Sequence, residues 1–402
     1  MVATIIPIAA IVVVLLFLGF RRNTKPVPTP AHSQVTVLML GFKGSGKTLM
    51  LASLFKHFRH GGPSGITLMT DEQSERELEQ LVDKIQDTSA GFLPDSTPLG
   101  DTRTWSFGVR VLAGPGKTAD AFQLRYLDYA GEYAEAKSGI GEDVGDNEFT
   151  AALDRADILI GVLDGEKVRR LLVEKDQTRV SHEIDRLLRL LVRAPQSCIH
   201  LVISKWDLLV DAHGRPFSLD EVVRRLEAES AGFRDFRCNP KFGRIRIIPV
   251  STLGAGFLDV RPDGTSVKRP GARWNPKNIA LPFYCALPDI LSGDITLMSS
   301  HARPGSSDRT TLSWDRLAQI TIGMLAVADI ALKVTSHGLM VTVPFSAIGE
   351  RIRANVAANR ARPEEFGRGQ ALAHVLKTSF EHSEAFDNDP QWTVHAPQAG
   401  RA

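Results

Sequence analysis

One octet of this chain, Gly41-Phe42-Lys43-Gly44-Ser45-Gly46-Lys47-Thr48, concentrates glycines, cations and hydroxyls in the pattern that holds phosphate. Glycines allow successive backbone N–H groups to turn inward around an anion, and a helix that starts there adds its positive end. Within this loop Gly41, Gly44, Ser45 and Gly46 would shape the cradle. Lys47 would neutralise β- and γ-phosphate charge, and the Thr48 hydroxyl would ligate Mg²⁺. A second run ending in Gly-Lys-Thr, Ala113 to Thr118, has Val111 where the leading glycine is needed. It lies between two strand-like runs and reads as a hairpin turn.

Three further groups follow in chain order. Phe122 to Leu127 is a strand run that ends at Asp128, and Gly131 and Glu132 come next in "LDYAGEY". A carboxylate at a strand end can hold Mg²⁺ through water, and Gly131 lets a backbone N–H approach a terminal phosphate. Ser204-Lys205-Trp206-Asp207 follows the strand run "IHLVIS". Asp207 can accept together from the adjacent N1 and N2 donors of guanine, while the Lys205 stem packs along the ring. Ser251 and Thr252 end the strand run "RIRIIPV", and a loop there can offer backbone N–H to guanine O6.

The elements that must carry these groups alternate. Val35 to Leu40, Ile158 to Leu163, Ile199 to Ile203 and Ile245 to Val250 are short apolar runs with the character of buried strands. Between them stand helical patterns: Leu49 to Phe55, an exposed charged helix over 71–87, a Leu-rich helix over 184–192, and one capped by Ser218 and Glu221. Residues 278–291 read as a closing helix. Trp105 to Leu112 and Phe122 to Leu127 read as paired strands. The pattern implies an α/β fold with a mostly parallel sheet covered on both faces.

Taken together, the octet, Asp128-x-x-Gly131, Ser204-Lys205-x-Asp207 and Ser251-Thr252 resemble the P-loop GTPases of the Ras-like and Arf-like translation-factor class. The resemblance spans residues 35–291. It implies a doubly wound, mostly parallel sheet of P-loop GTPase type, GTP/GDP and Mg²⁺ as ligands, and two switch regions. More narrowly, "GSGKT", "DYAGE" and "SKWD" are similar to the bacterial double-GTPase families of conflict systems, which implies a protein effector or a second GTPase as partner.

Departures from that pattern sharpen the expectations. Ser204 replaces the usual Asn or Thr, and its hydroxyl can still tie the loop. Lys43 stands where a small residue is usual and can serve as a second cation or obstruct a partner's arginine. The extended switch I region hides the threonine that should bind Mg²⁺. Thr97 is the first choice, with Thr102 and Thr104 as alternatives. Glu132 replaces the water-positioning Gln, and a carboxylate beside a γ-phosphate meets like-charge repulsion. Lys47, Gly131 and Glu132 are the catalytic candidates. The expected activity is GTP hydrolysis, slow without a partner, near the unassisted Ras range of about 10⁻⁴ to 10⁻³ s⁻¹. A non-hydrolysing GTP-bound scaffold and a P-loop ATPase are the alternatives.

Beyond the motifs, Val2 to Phe20 is apolar apart from Thr4 and is followed by Arg21, Arg22 and Lys25. As a helix it spans roughly 28 Å, close to a bilayer core. The charge asymmetry predicts a single-pass anchor over 1–22 in a cell inner membrane or plasma membrane, N-terminus outside and the catalytic domain cytoplasmic; a cleaved signal peptide is the alternative, but it calls for a basic segment before the apolar run and a small-residue cleavage site after it. Residues 23–34 form a linker, 292–382 a C-terminal helical extension with Leu317 to Val334 as a packed helix, and 383–402 a disordered tail. With 48 basic and 46 acidic residues the chain has no footprint for nucleic acid. Cys198, Cys238 and Cys285 show no zinc or redox spacing. His57 and His60, near a helix end, read as surface residues.

Overall fold

The computed structural model describes residues 34–62, 64–87, 103–114, 117–128, 145–174, 177–193, 198–239, 244–260, 266–300, 331–336, 339–344 and 363–394. The predicted anchor and linker up to residue 33, and the candidates Thr97, Thr102, Gly131 and Glu132, lie outside them. Among the described residues no helix is long and apolar enough to cross a membrane.

Burial follows the sequence pattern closely in the central strands. β1 (Gln34–Gly41) is buried over its last six residues, and β5 (Ile158–Asp164) and β6 (Cys198–Ser204) are buried throughout. Strands apolar on both sides need cover on both faces, which suits a parallel sheet. Seven strands form it: β2 (Ile66–Met69), β3 (Arg103–Gly114), β4 (Lys117–Asp128), β1, β5, β6 and β7 (Arg244–Pro249), in that spatial order. From β4 to β7 all neighbours are parallel, whereas β2 and β3 are antiparallel to their neighbours. The order doubles back at β1, so crossovers must lie on both sides of the sheet.

The alternation of side chains along β1 divides the core into two. Val37 and Met39 pack with α1 (Lys47–Phe58) on one face. Leu38 and Leu40 pack on the other with α3 (Gly145–Arg155), the short α4 (Gly165–Arg169), α5 (Gln177–Arg193), α6 (Leu219–Glu229) and α7 (Ala231–Arg237). This period-two division is what a two-faced strand dictates.

The stretch between α1 and β3 carries an edge strand that the sequence reading did not place. β2 has four residues, flanked by Gly61, Gly62 and Gly65 at positive φ, and so reads locally as a turn. It pairs with β3 and is followed by α2 (Glu72–Gln86), whose cap Asp71 accepts from the Ser74 N–H at 2.9 Å. Two small strands, β8 (Leu258–Val260) and β9 (Ser266–Lys268), follow β7. The closing helix α8 (Leu281–Ser300) starts three residues later than predicted. Asn278 adopts φ 59 and its side-chain amide donates to the Pro249 carbonyl at 3.0 Å, which stops the helix from beginning there.

The C-terminal extension differs from expectation in two ways. It contains an antiparallel pair, β10 (Ala331–Ser336) and β11 (Leu339–Pro344), so residues 331–334 are strand rather than helix, and 317–330 lie outside the described residues. Its last helix, α9 (Pro363–Asn388), runs through the predicted start of the tail, and a turn continues to residue 394. Buried charge explains the extension. Arg246, in β7, donates to both oxygens of Asp289 in α8 at 2.6 and 2.7 Å, to Ser383 Oγ at 3.0 Å and to Asp387 Oδ1. His200 Nε2 lies 2.8 Å from Asp289 Oδ2. Burial works against the guanidinium charge, but the Asp289 carboxylate outweighs it and holds Arg246 above its ordinary range. Nearer the middle of the chain's fold, His374 of α9 lies 2.8 Å from the Ser64 carbonyl, and His382 stacks on Tyr284. His57, expected at the surface, is half-buried beside this contact, against Phe58.

Candidate functional site

Strand β1 ends at Gly41, and the chain turns at once through Ser45, whose N–H donates to the Phe42 carbonyl at 3.1 Å. Gly44 and Gly46 sit at φ 79 and 86, a left-handed region that a side chain resists, so the loop depends on glycine at both. Gly46 caps α1 and hands the chain to Lys47. The Lys47 ammonium is buried inside its own loop and donates to the Gly41 carbonyl at 2.7 Å and the Phe42 carbonyl at 3.4 Å. Lys43 is exposed at the crest, and the Ser45 side chain is buried beneath it.

Beside this loop, β4 runs parallel to β1 and delivers Asp128 level with Met39. Thr48 Oγ1 donates to Asp128 Oδ2 at 3.3 Å. Asp128 is only 2% exposed, and burial pushes its carboxyl above the ordinary range. The Lys47 ammonium, the Thr48 hydroxyl and Arg103 act in the opposite direction and lose. A hydroxyl and a carboxylate side by side, both hard oxygen donors at the foot of a phosphate-type loop, fit Mg²⁺ better than any softer ion.

The second group assembles at the ends of β5 and β6. Ser204 Oγ donates to the Leu163 carbonyl at 3.0 Å, tying the two strand ends together. Lys205 adopts φ 48, and its ammonium donates to Asp164 Oδ2 at 2.8 Å with Glu166 Oε2 at 3.9 Å. Residues Trp206–Leu208 form one turn of 3₁₀ helix, with the Trp206 N–H donating to the Val250 carbonyl at 3.1 Å. Ser251 Oγ donates to Asp207 Oδ1 and itself accepts from the Gly254 N–H at 3.0 Å. The loop after β7 therefore orients the carboxylate of the loop after β6.

The Ser251 N–H donates to the Lys277 carbonyl at 3.1 Å, so within this loop it is the Ser251 hydroxyl that reaches Asp207. Thr252 is buried beside it, and its carbonyl accepts from the Trp274 indole N–H at 2.7 Å. Thr104 is exposed on β3, paired with Leu127.

Two contributors escaped the sequence reading. Asp164 caps α4 by accepting from the Glu166 N–H at 3.0 Å while holding Lys205. At Gly165 a Cβ would come within 2.1 Å of the Ser204 carbonyl, so only glycine lets α4 start against this loop. The signal was present as Asp-Gly at the end of a buried strand, level with Ser204 in register. Both groups thus sit at the carboxyl ends of neighbouring parallel strands, where open α/β sheets bind ligands. Lys47, Thr48 and Asp128 gather beyond β1 and β4, Lys205 meets Asp164 beyond β5 and β6, and Asp207 meets Ser251 beyond β6 and β7.

Comparison with known proteins gives the following. The search among curated proteins returned no match. The mammalian SRP receptor is 15% identical, covering 54% of this chain and 91% of its own, with a TM-score of 0.29. The Arl6 BBS3 small GTPase from Trypanosoma brucei, solved with the analogue GppNp, is 14% identical, covering 55% and 88%, with a TM-score of 0.29. The signal recognition particle receptor complex from Chaetomium thermophilum is 16% identical, covering 56% and 93%, with a TM-score of 0.31. The family model described as Double-GTPase 2 matches residues 36–241, just over half of the chain, a range that takes in the 41–48 loop, Asp128 and Ser204 to Asp207. The chain belongs to the Double-GTPase 2 family, and its core is a GTPase-like switch domain.

Proposed function

We propose that this protein binds GTP and GDP with Mg²⁺, hydrolyses GTP slowly on its own, and works as a membrane-anchored switch that recruits a protein partner. The observation that carries the reading is the Thr48–Asp128 contact beside the buried Lys47 loop, at the same edge of the sheet as the Asp207–Ser251 pair. When bound, Mg²⁺ would offset the charge of the phosphate oxygens. Thr48 and Asp128 would hold it. Lys47 would exchange its loop carbonyls for phosphate oxygens, since a charged acceptor makes the stronger hydrogen bond. Asp207, held by Ser251, would accept from the guanine N1 and N2 donors, and Lys205, held by Asp164, would flank the ring.

Hydrolysis is assigned as slow because Glu132 puts a carboxylate where a neutral amide is the efficient choice, and a partner's contribution can reach about 10⁵-fold. The anchor over 1–22 would keep the domain at a cytoplasmic membrane face. A second GTPase or an effector is the proposed partner, with GTP and Mg²⁺ ordering the segments around Thr97 and Asp128 that present the surface.

Affinity of the full chain for GTP, GDP and ATP, with and without Mg²⁺, tests the reading beside Asp207→Asn. Guanine preference that shifts toward xanthine nucleotides in the variant supports it. ATP displacing labelled GDP as well as GTP does would leave the ATPase reading. Single-turnover hydrolysis separates a slow switch from a non-hydrolysing scaffold, and an unassisted rate above about 1 s⁻¹ contradicts the slow assignment. Co-flotation with vesicles, lost on removal of residues 1–22, tests the anchor.

A further inference from the structure

Trp206 lies inside the loop that holds Lys205 and Asp207, and its half-buried indole faces a residue far away in sequence. The ring of Trp392 stands 6.0 Å from it, centroid to centroid, at an interplanar angle of 72°. That is an edge-to-face pair, the arrangement in which the positive rim of one ring meets the negative face of the other. Trp392 is not a loose tail residue. Its N–H donates to the Asp389 carbonyl at 2.9 Å, Thr393 Oγ1 donates to the same carbonyl at 3.0 Å, and the Gln391 N–H donates to Asp389 Oδ1 at 2.9 Å. From Gln391 to Val394 the residues alternate exposed and half-buried, placing Trp392 and Val394 inward on the core cluster that includes Phe386.

Asp389 follows α9 directly, and α9 is fastened upstream by Ser383 and Asp387 on Arg246. A continuous path therefore runs from a helix that docks on β7 and α8 to the outer side of the Asp207 loop. The loop itself has few restraints of its own. Lys205 occupies a left-handed conformation costly for a side-chain-bearing residue, and the 3₁₀ turn after it is three residues long. Its conformation is set by what braces it: Asp164 on Lys205, Ser251 on Asp207, the Val250 carbonyl on the Trp206 N–H, and Trp392 on the Trp206 ring.

We propose that Trp392 is a positioning residue for the base-recognition loop, through which the C-terminal helix sets how long a guanine nucleotide stays bound. The proposal rests on the guanine reading above. Loss of the indole leaves the Trp206 backbone tied to Val250 but removes the packing on its ring, loosens the turn that presents Asp207, and weakens the two-donor contact to guanine more than the contacts to phosphate.

The test uses the full chain as wild type, Trp392→Ala, Trp392→Leu and Trp392→Phe, loaded with a fluorescent GDP derivative. Dissociation rates are measured, together with affinities for GDP and for inosine diphosphate, which lacks the 2-amino donor. The Ala and Leu variants should release GDP about 3- to 10-fold faster and narrow the ratio of GDP to inosine diphosphate affinity, while Phe stays near wild type. Leu keeps apolar volume on the cluster and carries the test if the Ala variant fails to fold. A folded Ala or Leu variant with unchanged release and ratio overturns the proposal. So does an equal loss of both nucleotides, the mark of general destabilisation. Wild type that binds no guanine nucleotide removes the guanine reading and this inference together, whereas binding by wild type with indifferent variants removes this inference alone.

Discussion

Thr48 Oγ1, in the first turn of α1, and Asp128 Oδ2, at the end of β4, meet at 3.3 Å, and the carboxylate of that pair is almost wholly buried. Burial raises the Asp128 pKa, so the folded chain resists the ionisation that the unfolded chain permits. The charged carboxylate therefore costs stability as pH rises above the ordinary Asp range. Asp128→Asn should stabilise the nucleotide-free protein by about 0.5–2 kcal/mol at neutral pH and weaken Mg²⁺-dependent nucleotide binding. Denaturant unfolding and a nucleotide titration with and without Mg²⁺ check the two halves separately. A variant less stable than wild type would show that the Lys47 attraction outweighs burial.

Arg246 is the hub of the C-terminal attachment, and removing it strands buried Asp289. Arg246→Met should cost about 3–5 kcal/mol, the usual result of deleting one member of a buried ion pair. Pairing it with Asp289→Leu should return part of that loss. Hydrogen exchange along α9 should rise in the single variant before the sheet strands are affected.

The contact of α9 with the end of α1 is sensitive to acid. Burial lowers the pKa of both His57 and His382, the charge of His382 adds to the effect on His57, and Glu381 acts against it on His382. A base with a lowered folded pKa binds protons better when unfolded, so its contribution is present above the ordinary value of 6.5 and lost as pH falls below it. The thermal midpoint should fall between about pH 8 and pH 5, and the paired variant His57→Gln with His382→Gln should flatten part of that fall.

Cysteine reactivity should be sharply uneven. Cys285 is buried, and burial pushes its thiol up to about 12, while Cys198 is also buried and Cys238 is exposed. Alkylation of the native protein near pH 8, read by peptide mass spectrometry, should label Cys238 first and the other two only on unfolding. Early labelling of Cys285 would mean that α8 opens readily.

What could be read from the sequence depended on whether a residue's role is local. The glycines of 41–48 announce their loop because positive φ and a helix start are matters of neighbouring residues. Asp128 and Asp207 stand out because the first ends, and the second closely follows, a strand visible as an apolar run. Thr97 and Glu132 lie outside the described residues, so their roles stay as proposals. Arg246 gave no sign of its role, since a charge within "RIRIIP" looks like the exposed side of a strand, and its partner Asp387 is 141 residues away. Ser383 and Asp387 then made the end of α9 look like a polar tail. Residues that fold by pairing charge in the interior lower the very hydropathy that sequence reading uses.

The bond between His374 and the Ser64 carbonyl spans 310 residues. On a ribosome adding about 5–20 residues per second, the loop after α1 waits on the order of half a minute for its partner to be made. The 41–48 loop is already made when that interval begins and the Ser204 to Asp207 loop is made within it, while α9, with buried Ala371, Val375 and Leu376, has yet to arrive. The nascent chain thus passes through a stage in which it can meet nucleotide before its apolar seam is closed. For a protein of this design, ligand present during synthesis would act as a folding aid as well as a signal.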